Sequence, residues 1–362
     1  MITDLSLAFR YIALAQAVFV VTYLLFFKKK EKNSLIIFTL FFVSFSTPAI
    51  EYILSGLGIY DNYRKLSFLP IGFYYFSMPL YYLYIKSLIE NVEPKKMLWL
   101  LIPGIVEFLF LLVLFCIPTK YALNFSAQYN WIFTWFYGIL LNIFSLYCIY
   151  LAFRAVNAYQ VKYLNYFSNT QKVNLEWIRN TLMILVVIYV FQLLNVYFLF
   201  DQEQRQVVHL IDSILTNLFI YWTSIYAIRQ SHISSDFQIF SGNKSSSVAD
   251  ISDYQKIGSV LLSSKIYKNP NLTVLELSDM VALHPKKVSQ AINHFSDKNF
   301  NHFINSLRID EAKSLLTDPK HNNLTIEALA QEAGFNSKSV FNTLFKAETG
   351  QTPKAYKTHA EA

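Results

Sequence analysis

Seven stretches in the first 228 residues are each long and apolar enough to cross a lipid bilayer. A spanning helix needs about 20 mostly apolar residues, and the stretches lie near residues 7–27, 35–57, 67–89, 97–117, 131–153, 178–200 and 207–228. A helix of a soluble protein carries a charged face, which these stretches lack. The pattern predicts a bundle of seven transmembrane helices over residues 1–230, in preference to buried core helices of a soluble protein.

The composition points the same way. Hydrophobic residues make up 54% of the chain and charged residues only 15%, whereas soluble domains carry roughly 25% charged residues. The net charge of +7 suits nucleic acid or an anionic membrane surface and does not choose between them. Cys116 and Cys148 are the only cysteines, which excludes a disulfide framework and a four-cysteine metal site.

The charged residues of the short loops predict an orientation, because Lys and Arg concentrate on the cytoplasmic side. One alternating set of loops carries ten Lys and Arg and the other carries five. The richer set consists of Lys28, Lys29, Lys30, Lys32, Lys95, Lys96, Arg154, Lys162, Lys172 and Arg229. The poorer set consists of Arg10, Arg64, Lys65, Lys120 and Arg205. We expect a multi-pass protein of the inner (plasma) membrane, with its N-terminus outside and its C-terminal domain in the cytoplasm.

Polar residues within the predicted spans are candidates for a ligand pocket, because they are costly in lipid unless they pair or line a cavity. The pocket would take an unknown small-molecule or membrane signal. Its candidate residues are Glu51, Glu107, Gln192, His209 and Asp212. The alternative is that they hold helices together or lie near the lipid head groups. The spans lack the ladder of charges typical of a proton pump or voltage sensor, so transport is not favoured.

Residues 231–254 differ in composition from both flanking regions. Serine is frequent, a Gly242-Asn243 pair lies in the middle, and no helical period persists. This composition predicts a linker between two domains. Phe237, Ile239 and Phe240 leave open the alternative that the linker docks on another surface.

The remaining residues, 255–362, contain an internal repeat. LTVLELSDMVALHPKKVSQAINHF, starting at Leu272, aligns with LTIEALAQEAGFNSKSVFNTLFKA, starting at Leu324, at an offset of 52 residues. Each copy begins with a helix-start signature, continues as an apolar helix and a short turn, and enters a second helix at Pro285 or Ser337. Two helices joined in this way are typical of a module that lays its second helix in a major groove.

Helical periodicity places a polar face on each of the two second helices. Asn and Gln side chains pair with adenine, and Lys pairs with guanine or phosphate. The first reading face consists of Lys286, Lys287, Gln290 and Asn293, and the second reading face of Lys338, Ser339, Asn342 and Lys346. A solvated helix surface is the alternative, and two equivalent faces in tandem weaken it. From residue 255 onward, 13 Lys and Arg stand against 10 Asp and Glu, so the basic footprint is modest.

Between the copies, FINSLRIDEAKSLL (303–316) reads as an amphipathic connecting helix that ends at Asp318-Pro319. A rod of this kind can hold two reading helices at the separation of successive major grooves, about 34 Å. The predicted fold class is therefore all-α: seven transmembrane helices followed by two tandem helix-turn-helix units and their connecting helix.

Two stretches carry a likeness to a known family: RIDEAKSLL (308–316) and AGFNSKSVFNTLFKAETGQTPKAY (333–356). Residues from about 255 to 358 resemble the AraC-type DNA-binding domain. The resemblance implies transcription regulation, with promoter DNA and RNA polymerase as partners. It also implies structural roles for Arg308, Gly334, Phe335, Gly350 and Pro353. FSMPLYYLYIKSL (76–88), LLIPGIVEFL (100–109) and NLEWIRNTL (174–182) are similar to seven-span regions placed ahead of such a domain in Bacteroidetes-like proteins.

No motif in the chain predicts catalysis. A nucleotide-binding glycine loop is absent from the C-terminal part, no nucleophile-base-acid set stands out, and His284, His294, His302 and His321 lack metal-ligand spacing. We expect a regulator without cofactor or metal, in contact with lipid and able to form a homodimer. Two alternatives stay open: a receptor or transporter whose helical tail binds a protein, and a precursor that releases its DNA-binding domain by proteolysis within 231–253.

Overall fold

The computed structural model describes residues 2–27, 32–89, 94–169, 175–197, 202–229, 250–321 and 323–361. Among these residues every regular element is a helix, apart from one isolated bridge between Phe167 and Thr273, which confirms the all-α prediction. The chain divides into two compact units, residues 1–157 with 175–238 and residues 158–174 with 239–362. Most of the predicted linker (231–249), together with Lys28–Lys30 and Lys172, lies outside the described residues.

The first unit is built from long apolar helices and a few short ones. The helices are α1 Ile2–Phe27, α2 Lys32–Gly56, α3 Ile59–Asn62, α4 Tyr74–Ile89, α5 Ile102–Cys116, α6 Thr119–Gln128, α7 Asn130–Phe133, α8 Leu141–Leu164, α9 Glu176–Tyr197 and α10 Gln202–Arg229. A π-helical turn over Thr134–Leu140 joins α7 to α8. The last residues of α8, from Ala158, belong to the second unit. Within the first unit, α1 packs against α2 and α10, α2 against α4, and α9 against α10.

The first unit exposes many large apolar side chains and buries several polar ones among its apolar core residues. Large apolar side chains such as Phe26, Val113 and Val187 are more than half exposed. Polar side chains such as Thr181 and Ser213 are fully buried and donate to carbonyl oxygens of their own helices. A soluble domain does not normally expose so many large apolar side chains, whereas a surface in contact with lipid has this pattern.

Five helical runs among the described residues are long and apolar enough to cross a membrane: Ile2–Phe26, Ser34–Gly56, Met97–Cys116, Asn130–Leu164 and Glu176–Val196. They correspond to five of the seven predicted spans. The predicted span 67–89 contains α4, which has only 16 residues because a turn around Pro70 precedes it. The predicted span 207–228 lies in the 28-residue α10, whose polar residues, among them Arg205 and Asp212, lower its hydropathy.

The described residues of the second unit contain seven further α-helices. They are α11 Ile251–Ser264, α12 Val274–Val281, α13 Pro285–Ser296, α14 Phe300–Thr317, α15 Ile326–Glu332, α16 Lys338–Thr349 and α17 Pro353–Glu361. Helices α12 and α13 form the first helix-turn-helix unit, and α15 and α16 form the second. Since Asp250 caps α11 by accepting from Ser252 N at 3.0 Å, helical structure begins inside the stretch predicted as linker.

The repeated Leu-Thr signature starts the same helix in both copies because each threonine caps it. Thr273 Oγ1 accepts from Glu276 N, and Glu276 Oε2 accepts from Thr273 N, which completes a capping box. Thr325 Oγ1 accepts from Ala328 N at 3.1 Å. These caps satisfy amide groups that a helix start otherwise leaves unpaired.

Helix α14 joins two separate hydrophobic clusters. Its first half contributes Phe300 and Ile304 to a cluster with α11, α12 and α13. Its second half contributes Ile309 and Leu316 to a cluster with α15 and α16. The connecting helix therefore shares its apolar residues between the two helix-turn-helix units.

Candidate functional site

The first reading face lies on α13, and all four of its side chains are half-buried. Lys287 Nζ lies 2.8 Å from Asp253 Oδ2 of α11, and this hydrogen bond raises the pKa of Lys287. Asn293 Nδ2 donates to Asn165 Oδ1 at 3.4 Å. Lys287 and Asn293 are thus bonded to other residues of the second unit.

The second reading face lies on α16, and all four of its side chains are exposed. Lys338, Asn342 and Lys346 line a concave surface with a volume of about 1000 Å³. Lys338 Nζ also lies 3.4 Å from Glu327 Oε2, an exposed pair whose contribution to stability is small. The structure therefore brings three of the four predicted residues to one open concavity.

Sequence reasoning missed other polar residues of the same concavity, among them Thr325, Thr343 and Lys354. Thr325 is the cap of α15, and Lys354 lies at the start of α17. The periodicity of α16 alone does not reveal residues on other helices. The hydroxyls and the extra cation match groups that contact phosphate oxygens in protein–DNA complexes.

Arg308 is almost completely buried in α14 and donates four hydrogen bonds. Its acceptors are Tyr267 O (2.7 Å), Asn305 Oδ1 (2.9 Å), Asn269 O (2.8 Å) and Ser168 Oγ (3.0 Å). Burial lowers the pKa of Arg308 to about 10, so the guanidinium stays charged at neutral pH. Neutral oxygen acceptors replace the water that this cation loses on burial.

The turn of the second helix-turn-helix unit requires glycine at position 334. Gly334 has a φ of 99°, and a Cβ there would lie 2.8 Å from both Cα and O of Lys268. Phe335 is buried and its ring centroid lies 5.2 Å from that of Phe341. Gly350 caps the end of α16 with a φ of 75°, and Pro353 is the first residue of α17.

A short segment after α8, residues 165–169, pairs its backbone with the first helix-turn-helix unit; we call it the docking segment. Ser168 N donates to Leu272 O at 3.1 Å, and Val274 N donates to Tyr166 O at 2.9 Å. The isolated bridge between Phe167 and Thr273 lies between these two bonds.

Side chains reinforce the position of the docking segment. Asn301 Nδ2 donates to Phe167 O and Ser168 O at 3.2 and 2.8 Å, and Ser289 Oγ of α13 donates to Asn165 O at 3.1 Å. Tyr166 packs against the hydrophobic cluster of the first helix-turn-helix unit. Sequence analysis assigned this segment to a loop of the membrane domain, and no local motif distinguishes it from such a loop.

Three of the five predicted pocket residues, Glu51, Gln192 and Asp212, line one cavity of about 1060 Å³ in the first unit. Asp212 accepts from Arg10 Nη2 at 2.8 Å and from Gln192 Nε2 at 2.9 Å. The hydroxyl of Tyr74 donates to Glu51 Oε2. Two polar clusters of this cavity therefore link different helices: Arg10, Gln192 and Asp212 in one, and Glu51 with Tyr74 in the other.

The other two predicted pocket residues do not line this cavity. Glu107 is fully buried in α5 and accepts from Tyr75 N at 3.0 Å. The His209 ring lies against Tyr52, with 5.9 Å between the ring centroids.

Arg10 is a lining residue that sequence reasoning misassigned to an outer loop. It is 6% exposed and lies within α1, and its guanidinium carbon also lies 4.9 Å from the centroid of the Tyr52 ring. Its position inside the first apolar stretch was the signal available in the sequence. Among the described residues no group of three or more His, Cys, Asp or Glu is placed to hold a metal ion.

A family model described as a helix-turn-helix domain matches residues 277–359. An uncharacterized HTH-type transcriptional regulator of Staphylococcus aureus (strain COL) is 32% identical over 102 residues, which cover 28% of this chain and 13% of that protein. The uncharacterized HTH-type transcriptional regulator YobQ of Bacillus subtilis (strain 168) is 29% identical over 86 residues, or 24% of this chain and 34% of that protein. No solved structure matches the chain.

The aligned regions thus span about an eighth of the Staphylococcus relative and a third of the Bacillus one. The family match includes α13, α14 and α16, and so both reading faces and Arg308. The C-terminal part of this chain therefore carries a helix-turn-helix domain of the AraC type.

Proposed function

We propose that the protein is a membrane-bound one-component transcriptional regulator. Residues 1–230 form a sensor domain of seven transmembrane helices, and residues 255–362 bind promoter DNA in the cytoplasm. The observation that carries the proposal is the second reading face: four exposed polar side chains, three of them in one concavity, within a matched helix-turn-helix domain. No catalytic step is required, since binding alone recruits or excludes RNA polymerase.

Each reading face has a defined role in this proposal. Asn342 contacts a base edge, Lys338 and Ser339 contact bases or phosphate, and Lys346 contacts phosphate. Lys286, Lys287, Gln290 and Asn293 act in the same way on the next major groove. Arg308 holds α14 to its neighbours through four hydrogen bonds, and Gly334, Phe335, Gly350 and Pro353 shape the turns around α16.

Membrane insertion is supported by the apolar exterior of the first unit and its five long apolar helical runs. Helix α4 and helix α10 complete the seven spans in this proposal. The charged residues of α10 are compatible with a span because Arg205 lies in its first turn and Asp212 lines the interior cavity. The excess of Lys and Arg in alternate loops supports a cytoplasmic C-terminal domain. A reporter enzyme fused after Ala362 that is active only in the periplasm would contradict this topology.

Signal sensing is assigned to the cavity lined by Arg10, Glu51, Gln192 and Asp212. Its volume suits a small organic molecule. The partly buried Arg10–Asp212 pair joins α1 to α10, so a ligand that competes for either partner changes the packing of these two helices. Such a change alters DNA binding directly or through a homodimer.

The test is capture of DNA by the intact protein in membrane vesicles, followed by sequencing. We expect one discrete promoter sequence to be enriched by the full-length chain. Enrichment by a soluble fragment of about 110 residues alone would favour the proteolytic alternative. If no DNA is enriched and the tail instead captures a protein, the receptor alternative holds.

A further inference from the structure

We propose that the docking segment, residues 165–169, masks the first reading face, so that in this conformation only the second helix-turn-helix unit engages DNA. This inference rests on the proposed function and adds the regulation of its DNA-binding site. Release of the segment would then convert a protein that reads one major groove into one that reads two.

The two reading faces differ in accessibility although the sequence repeats. The four side chains on α16 are exposed, whereas the four equivalent side chains on α13 are half-buried. Base edges can be read only by side chains that reach into the groove. Part of the difference comes from α11 through Asp253, and the part next to Asn293 comes from the docking segment.

The docking segment contacts α13 on the side where DNA is expected. Asn165 accepts from Ser289 Oγ through its backbone oxygen and from Asn293 Nδ2 through its side chain. Ser289 and Asn293 are four residues apart and lie on one face of the helix. An asparagine needs both its amide nitrogen and its amide oxygen to pair with adenine, and here the nitrogen is already engaged.

The contact between the docking segment and the first reading face leaves one buried hydrogen-bond acceptor unpaired. This is consistent with a segment that can dissociate. Asn293 Oδ1 is buried and accepts no hydrogen bond among the described residues. An unpaired buried acceptor disfavours the docked state. The segment is retained by other bonds, from Asn301 and Arg308 and from the two backbone pairs.

The docking segment is connected directly to the proposed sensor domain by helix α8. Helix α8 spans Leu141–Leu164, and its residues up to Asn157 belong to the first unit while the following ones belong to the second. The docking segment begins directly after this helix. A rearrangement of the helices around the ligand cavity therefore acts on the segment through α8, without passing through residues 231–249.

The experiment compares the full-length protein with a release variant, Asn165→Ala with Tyr166→Ala, both in lipid nanodiscs with a random DNA library. We expect the wild type to select a motif one major groove long. The release variant should select a two-part motif and bind it about tenfold more tightly than the wild type does, a gain equal to one base contact. The control is Val161→Ala, which alters an exposed side chain of the same helix end and should behave as the wild type.

A second measurement does not depend on the variant folding. In the wild type, saturation with the two-part DNA should accelerate hydrogen exchange at the Ser168 and Val274 amides, because their bonds to Leu272 and Tyr166 break when the segment leaves. If the wild type already binds the two-part motif as tightly as the release variant, with exchange unchanged, the mask is disproved and the proposed function stands. If neither protein selects any sequence, the proposed function fails and the mask with it.

Discussion

The two helix-turn-helix units show how equivalent sequences acquire different surfaces. Both begin with a threonine cap, and both place their second helix after a turn with a left-handed residue, Ala282 or Gly334. The local structure follows local sequence in both cases. The surfaces differ because α13 contacts α11 and the docking segment, while α16 lines an open concavity.

The units also differ in how they attach to the shared helix α14. The first helix-turn-helix unit combines apolar packing of Phe300 and Ile304 with a polar network. In this network Glu311 accepts from Lys268 Nζ at 2.7 Å and from Tyr267 Oη at 2.8 Å. The second is tied mainly by apolar packing of Ile309, Leu315 and Leu316. A polar attachment responds to pH, whereas an apolar one does not.

The largest expected effect concerns the two equivalent turn residues, Gly334 and Ala282. Gly334→Ala should destabilise the second unit by about 3 kcal/mol or more, because the added Cβ meets the backbone of Lys268 and the φ is unfavourable. Ala282→Gly, at an exposed position with a φ of 52°, should change stability by less than about 1 kcal/mol. Hydrogen exchange of the α16 and α13 amides in the full-length protein measures both.

A small effect of Gly334→Ala would mean that the second unit does not pack on Lys268 as described. Gly350→Ala is the matched control within α16. Its φ is also positive but a Cβ there meets nothing within 4 Å, so the expected loss of stability is about 1 kcal/mol.

The second largest expected effect is on DNA sequence preference, and it tests whether only the second reading face contacts DNA in the wild type. Lys338→Ala with Asn342→Ala should reduce the preference for the selected DNA over scrambled DNA by roughly 1–3 kcal/mol for each base that the side chains no longer read. Lys286→Ala with Gln290→Ala should have little effect in the wild type and a comparable effect in the release variant. Titration of each protein against both DNAs measures the preference. Equal reductions from both pairs in the wild type would contradict the masked first face.

The smallest effect concerns the acid sensitivity of the first unit. Burial of Glu311 raises its pKa, but hydrogen bonds from Lys268 and Tyr267 outweigh burial and lower the pKa to about 2. The ionised carboxylate therefore stabilises the folded state above the ordinary value of about 4.3, and this contribution is lost as pH falls through about 2. Because the network is partly solvated, we expect about 1 kcal/mol.

Glu311→Gln should remove this pH dependence. Protection factors of the amides of the first helix-turn-helix unit, which are corrected for the intrinsic pH dependence of exchange, would then be the same at pH 4 and pH 3. In the wild type, the protection of these amides should fall before the protection of α15 and α16 does. Identical acid profiles for the two units of the wild type would contradict a polar attachment of the first unit alone.

Much of the fold follows from periodicity and capping in the sequence. The repeat at an offset of 52 residues, the start of α13 at Pro285 and the end of α14 before Asp318 are features that neighbouring residues determine. The count of seven spans does not follow from length and hydropathy alone, because α4 is short and α10 carries charged residues.

The candidate sites were less predictable because they depend on interactions between residues far apart in the chain. Glu51, Gln192 and Asp212 were expected to lie together, but the partner Arg10 is about 200 positions from Asp212. The docking segment lies more than 100 residues before Leu272 and Asn301. Periodicity reports which face of a helix is polar, and it does not report which other element covers that face.

The chain passes between its two units three times, at 157/158, 174/175 and 238/239. A recombinant fragment that starts at residue 250 therefore lacks the docking segment, residues 165–169, which belongs to the same compact unit. In such a truncation Asn301 and one arm of Arg308 lose their acceptors in residues 167–168. The DNA affinity of this fragment would be that of a domain without the docking segment. Crystals or assays of the fragment alone would therefore not report regulation by that segment.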